Sequence, residues 1–147
     1  YYEGVSMALR SNPVSAYKET SVRTASGGKI IVMLYDEAVK QIDAAISLIE
    51  SKTRQLDQIN NSILKAQDIV TELMVSLDLE KGGDIASKLF GLYRYFVDQL
   101  MEGNIHKDIA PLKNVRDMMA ELRTSWRQIA DTTPVQGTAS GGLNIAG

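Results

Sequence analysis

From Lys29 to Lys52 the apolar residues Ile31, Leu34, Ala38, Ile42, Ala45 and Ile49 recur in steps of three and four, the spacing of one helical face. A second stripe through Ile30, Met33, Tyr35, Val39 and Ile46 overlaps it, so the apolar arc is wider than a two-stranded seam needs. After Thr53–Asp57 the same spacing returns in Ile59, Ile63, Ala66, Val70, Leu73 and Leu77, widened by Ile69, Met74 and Val75. Glu80-Lys81-Gly82-Gly83 reads as a stop, because glycine accepts the positive φ that ends a helix. Asp84 is then the expected cap of a third helix facing inward through Ile85, Leu89, Leu92, Phe96 and Leu100. Phe90, Tyr93, Tyr95, Val97 and Met101 surround that face, and Gly103-Asn104 is the expected close. Asp108 caps a fourth helix, with Pro111 in its first turn and Ile109, Leu112, Val115, Met119, Leu122, Trp126 and Ile129 inward. It is expected to stop near Asp131, before Pro134.

The pattern predicts helices over 29–52, 57–79, 84–102 and 108–131. Short connections between amphipathic helices of this length predict an all-α fold, an antiparallel up-down-up-down four-helix bundle. Lys29–Leu34 would pass for a buried strand in isolation, but the helical spacing continues through Ile49 and decides the matter. Ahead of the bundle, Asn12-Pro13 combines an N-cap with a first-turn proline and predicts a short extra helix over 13–19, presenting Val14 and Tyr17. The polar stretch Thr20–Gly28 is a linker, with Thr24 or Ser26 as the cap of the first long helix. Three regions are therefore expected: an N-terminal segment over 1–28, the bundle over 29–131, and an uncharged, Gly/Ser/Thr-rich flexible tail over 132–147. Tyr1–Ser6, ahead of Met7, carry no part of the predicted fold.

Composition narrows the function classes. With 44% hydrophobic and 23% charged residues the chain has a globular profile, and its 147 residues suit one domain. A net charge of −2, with basic residues dispersed, gives no footprint for nucleic acid or for an anionic membrane. Cysteine is absent, which removes disulfides, thiolate metal sites and cysteine nucleophiles. No apolar run approaches the ~18 residues of a membrane span, and no signal peptide follows Met7, so a cytoplasmic (cytosolic) location is expected.

Catalytic and cofactor readings fail on residue type. A di-iron bundle requires paired Glu-x-x-His motifs, whereas the one histidine, His106, has only Glu102 four residues before it. Ser26-Gly27-Gly28-Lys29 resembles a phosphate loop but lacks the earlier glycine, with Arg23 in its place, and the hydroxyl residue, with Ile30 in its place. A pericyclic enzyme on a helical bundle would need charge inside the apolar stripes; Lys88, Arg94 and Lys113 all fall outside them. No catalytic residue, metal or cofactor is expected. The six tyrosines outnumber the two phenylalanines and the one tryptophan, and Tyr17, Tyr35, Tyr93 and Tyr95 fall at the margins of helical faces. Both they and Met33, Met74, Met101, Met118 and Met119 fit either core packing or a contact surface.

Four motifs in order carry a resemblance: N-P-x-x-A-Y-K (Asn12–Lys18), T-A-S-x-x-K-I-I-x-M-L-Y-D (Thr24–Asp36), A-Q-D-I-x-x-E-L-x-x-S-L-D (Ala66–Asp78) and G-G-x-I-A (Gly82–Ala86). Leu112, Leu122 and Trp126 extend it through the fourth helix. The chain resembles the FliS family of bacterial flagellar export chaperones over about Asn12–Ile129. Gly27, where the family commonly carries Pro or Glu, and the long glycine-rich tail are departures. The resemblance implies a chaperone that keeps flagellin from polymerising early and supports its delivery to the flagellar type III export apparatus. Its client would be the disordered C-terminal region of flagellin, wrapped as helices in apolar grooves. The export gate and a co-chaperone are further candidate partners; nucleic acid and membrane insertion are not expected. The resemblance also implies that Asn12–Thr20, anchored by Tyr17, covers part of the groove when no client is bound. The expected partner-binding residues are Tyr17, Ile30, Ile31, Leu34, Tyr35, Val39, Tyr93 and Phe96. A helical adaptor or regulator for a different amphipathic client is the alternative.

Overall fold

The computed structural model describes residues 27–132. Four helices account for nearly all of them: α1 (Gly27–Glu50), α2 (Leu56–Ser76), α3 (Leu79–His106) and α4 (Ile109–Thr132). The described residues contain no strand, and Lys29–Leu34 is helical as its continuing period demands. The short helix over 13–19, the caps Thr24 and Ser26, and the tail from 133 onward lie outside the described residues.

Two helix ends differ from expectation. At the α2–α3 junction the chain turns before the glycines. Leu77 takes an extended conformation and ends α2, and Asp78 rather than Asp84 is the cap of α3. Its carboxylate accepts from the N–H groups of Glu80 (3.2 Å) and Lys81 (3.0 Å), two of the donors a helix start leaves without partners. The break expected at Gly82-Gly83 is present inside α3: Gly83 adopts φ 55° and ψ −131°, a non-helical conformation open to glycine, and kinks the chain between a first turn and the helix that continues to His106. At the other end, α3 runs past Gly103-Asn104 to His106. Gly103 serves close approach instead of termination, since a Cβ there would lie 2.6 Å from Leu112 Cδ2. Lys107, at φ 50°, makes the left-handed turn that ends the helix. Asp108 caps α4 as expected, accepting from the Ala110 N–H at 3.0 Å.

Each helix packs on two neighbours: α1 on α2 and α4, and α3 on α2 and α4. That closed ring encloses one core, in which Ile42, Ile63, Phe96, Leu100, Leu112 and Met119 are fully buried. The buried stripe of α3 is Ala86, Tyr93, Phe96 and Leu100. Ile85, expected inward, is 57% exposed, and Leu89 and Leu92 are only partly buried. The tyrosine margins also need correction at two positions. Tyr35 and Tyr93 sit in the centre of the core, and their hydroxyls are hydrogen-bonded to each other at 2.7 Å across the bundle. Their rings meet edge-on at 6.4 Å, and Trp126 also lies 6.4 Å from Tyr35. Burial raises the pKa of both phenols, so the pair stays neutral and each hydroxyl satisfies the other.

Polar side chains register the helices against one another. Between α1 and α4, Asp43 accepts from Arg116 (2.9 Å) and Asp36 from Arg123 (3.2 Å) and Arg127 (2.9 Å), while Gly28 lies against Ala130. Partner numbers fall on α4 as they rise on α1. Between α2 and α3, Asn104 donates to Asn60 (2.7 Å) and Gln67 donates to the Val97 carbonyl (3.2 Å), with the same opposed progression.

Candidate functional site: an apolar groove between α2 and α3

The large apolar side chains that the bundle leaves exposed are carried by two of its helices. Among the described residues, the large hydrophobic side chains that remain exposed are Leu56, Leu64, Val75, Leu79, Ile85, Tyr95, Met101 and Ile105, and every one lies on α2 or α3. The α1–α4 side is different in kind, with Asp36, Asp43, Arg116, Arg123 and Arg127 closing its seam.

Helical geometry brings Leu64, Val75, Met101 and Ile105 together, whereas Tyr95 turns toward α4, where its hydroxyl accepts from Asn114 at 2.8 Å. Asn60 and Gln67 mark the flank of α2 that faces α3, because their side chains bond across to it. Leu64, Thr71 and Val75 follow on that flank in steps of three and four. Val97 and Asn104 mark the facing flank of α3, and Phe90, Arg94, Met101 and Ile105 share it by the same spacing. Between the two flanks runs an open groove of about 350 Å³, walled by Thr71, Met74 and Val75 from α2 and by Phe90 and Val97 from α3. Arg94 and Asp98 complete the lining. At 1.5 Å per residue the apolar flank from Phe90 to Ile105 extends for roughly 22 Å, room for about four turns of a third helix.

Charge on the groove is sparse. Neither Arg94 nor Asp98 forms an ion pair among the described residues, in contrast to the committed arginines of α4. Asp68, three residues before Thr71, is half-buried, and burial without a cationic neighbour holds its carboxyl above the ordinary value. His106 and Glu102 pair at 2.9 Å on the exposed end of α3, a surface contact one helical turn long. Among the described residues no cluster of three or more His, Cys, Asp or Glu side chains is placed to hold a metal ion. No described helix is long and apolar enough to cross a membrane.

The expected partner-binding residues fall elsewhere. Ile31, Leu34, Tyr35, Val39, Tyr93 and Phe96 are buried in the core, where they hold the helices together and present no surface. Ile30 is half-buried against the core, and Tyr17 lies outside the described residues. The wide apolar arc of α1 is consumed by packing on two neighbours, and the surplus belongs to α2 and α3. Leu64, Val75, Phe90, Met101 and Ile105 carry it. Their sequence signal is their position off the inward stripes, where an apolar residue has no internal partner.

Comparison with known proteins is consistent in one direction. The family model described as "Flagellar protein FliS" matches residues 10–133. The "Flagellar secretion chaperone FliS" of Bacillus subtilis is 30% identical over 137 residues, 93% of this chain and 99% of that protein. The Salmonella typhimurium protein of the same description is 31% identical over 121 residues, covering 80% of this chain and 87% of its own length. That of Vibrio cholerae is 31% identical over 120 residues, with 79% and 87% covered.

Proposed function

Because the chain belongs to the FliS family, we propose that it is a cytosolic flagellar secretion chaperone whose client is the C-terminal region of flagellin, and that the client docks as a helix in the α2–α3 groove. The observation that carries this reading is the confinement of exposed large apolar residues to α2 and α3. A chaperone for a segment that folds on binding needs apolar surface in the absence of the client, and it needs that surface without losing its own core. The division of labour between helices supplies both. Residues of α1 and α4 are spent on the core and on ion pairs, while one flank each of α2 and α3 stays open. The opposed residue pairings along α1–α4 and α2–α3 support an antiparallel up-down-up-down course, which gives the groove two walls running its full length. Its role is binding, with no chemical step.

Calorimetric titration with the C-terminal segment of flagellin, followed by circular dichroism, tests the reading. Binding should bring a gain in helicity and a negative heat-capacity change, as coupled folding and apolar burial require. Val75 is 54% exposed, so Val75→Asp should leave the fold intact. A charge set against the apolar face of the client should weaken the complex by about tenfold or more. Unchanged affinity in Val75→Asp would place the client elsewhere. No binding of flagellin to the parent protein, with capture of another amphipathic helix, would favour the adaptor reading.

A further inference from the structure

Charge in the groove lining is confined to two places, and those places are ordered. Arg94 and Asp98 stand one helical turn apart on α3, both lining the groove. Neither is engaged by another described residue. An arginine and an aspartate four residues apart on a helix are near enough to pair with each other, yet no contact joins them within 4.0 Å. On the opposite side of the bundle, Arg116, Arg123 and Arg127 are each committed to a carboxylate. The two groove charges are thus free for a third body, and Asp68 on the facing helix adds a second carboxylate without an ion pair.

We propose, building on the groove reading above, that the occupant is an amphipathic helix whose docked face carries an acidic side chain against Arg94 and a basic side chain about one turn away against Asp98. Apolar contact along Phe90, Val97 and Val75 supplies attraction but little register, since a greasy helix slides or reverses in a greasy groove at small cost. Two opposite charges in fixed order remove that freedom. A helix with its acid four residues before its base satisfies both only when it runs parallel to α3. One with the base first satisfies both only when antiparallel. Reversal or a one-turn slip sets like charges face to face, which disfavours the wrong pose. The pair therefore selects both register and direction, and the partner class is a helix bearing an acid–base pair on its apolar face.

The test uses the whole chain and the C-terminal flagellin segment as probe, with Arg94→Glu, Asp98→Lys and the double exchange Arg94→Glu/Asp98→Lys. These are exposed positions, and thermal melts check that the fold is kept. Each single exchange should weaken binding about 5- to 10-fold, the range for a partly desolvated charge contact. The double exchange preserves net charge but reverses order, so the probe pairs both charges only by running the other way along the groove. Its affinity should recover above that of either single exchange. Changing the acidic residues of the probe to Lys one at a time should identify one that restores affinity to Arg94→Glu while weakening the parent complex. The inference is overturned if all three variants bind within about twofold of the parent while Val75→Asp still weakens binding. Should Val75→Asp also bind like the parent, the fault lies with the groove as client site, and the charge inference falls with it.

Discussion

Removing a hydroxyl from the Tyr35–Tyr93 pair is the sharpest probe of the core. The two oxygens are 2.7 Å apart and both rings are buried, so no water replaces a lost partner. Tyr35→Phe leaves the Tyr93 hydroxyl buried with nothing to bond, which costs roughly 2 kcal/mol within the usual 1–3 kcal/mol range for an orphaned polar group. Tyr93→Phe orphans the Tyr35 hydroxyl in turn and should cost about 1–2 kcal/mol. The double variant removes both polar groups and leaves two apolar rings in the same space. Its cost should be no more than that of the worse single change, which gives a coupling of about 1–2 kcal/mol in a double-mutant cycle. For a helical domain of about a hundred residues, 1 kcal/mol moves the melting temperature by about 4–5 °C. Tyr35→Phe should therefore melt about 10 °C lower, with the double variant no lower. Urea and thermal unfolding followed at 222 nm measure all four proteins. Additive costs, with the double variant near the sum of the singles, would refute the claim that the hydroxyls satisfy each other.

Two further outcomes follow from local geometry. Gly103→Ala puts a Cβ 2.6 Å from Leu112 Cδ2 and 2.8 Å from its Cγ. Overpacking of about 1–3 kcal/mol should outweigh the gain of ~1 kcal/mol in helix propensity. The urea midpoint should fall in the parent and rise in a Leu112→Ala background, where the space is open; a rise in the parent contradicts the close approach. Asp68→Asn tests the uncompensated carboxylate. Since burial raises its folded-state pKa, the folded chain holds the proton more tightly than the unfolded chain, and the stability this gives is present at low pH. It is lost as pH climbs from the ordinary value of 3.8 through the raised one. Asp68→Asn should therefore be more stable than the parent at pH 7 and lose that advantage below about pH 4; an equal difference at both pH values contradicts it.

The number and extent of the long helices were legible because a 3.6-residue period needs only apolar spacing, and each stripe persists for several turns. The helix ends were harder. Gly82-Gly83 has the composition of a terminator, but whether a glycine ends a helix or bends it depends on what the next turn packs against. Gly103 likewise looks like a stop until Leu112, on another helix, is placed beside it. The groove was the least legible part. A wide arc on α1 and a wide arc on α2 look alike in sequence, and only the packed structure shows that the arc of α1 is covered while Leu56, Leu64 and Val75 of α2 stay exposed. Tyr35 and Tyr93 show the same limit: an apolar ring with a polar tip suits a core or a surface, and the partner 58 residues away decides which.

Trp126 is the only tryptophan in the chain, and it is 5% exposed, 6.4 Å from Tyr35. Its indole is the acceptor for excitation energy from the buried tyrosines, so the intrinsic emission of this protein reports the state of the core. The groove lies between α2 and α3, whereas Trp126 sits on α4 against α1. A client docked in the groove as proposed should add helical ellipticity and leave the indole environment unchanged, whereas unfolding changes both signals. The molecule thus carries two optical channels, one for occupancy and one for integrity, which can be read in the same cuvette without a label.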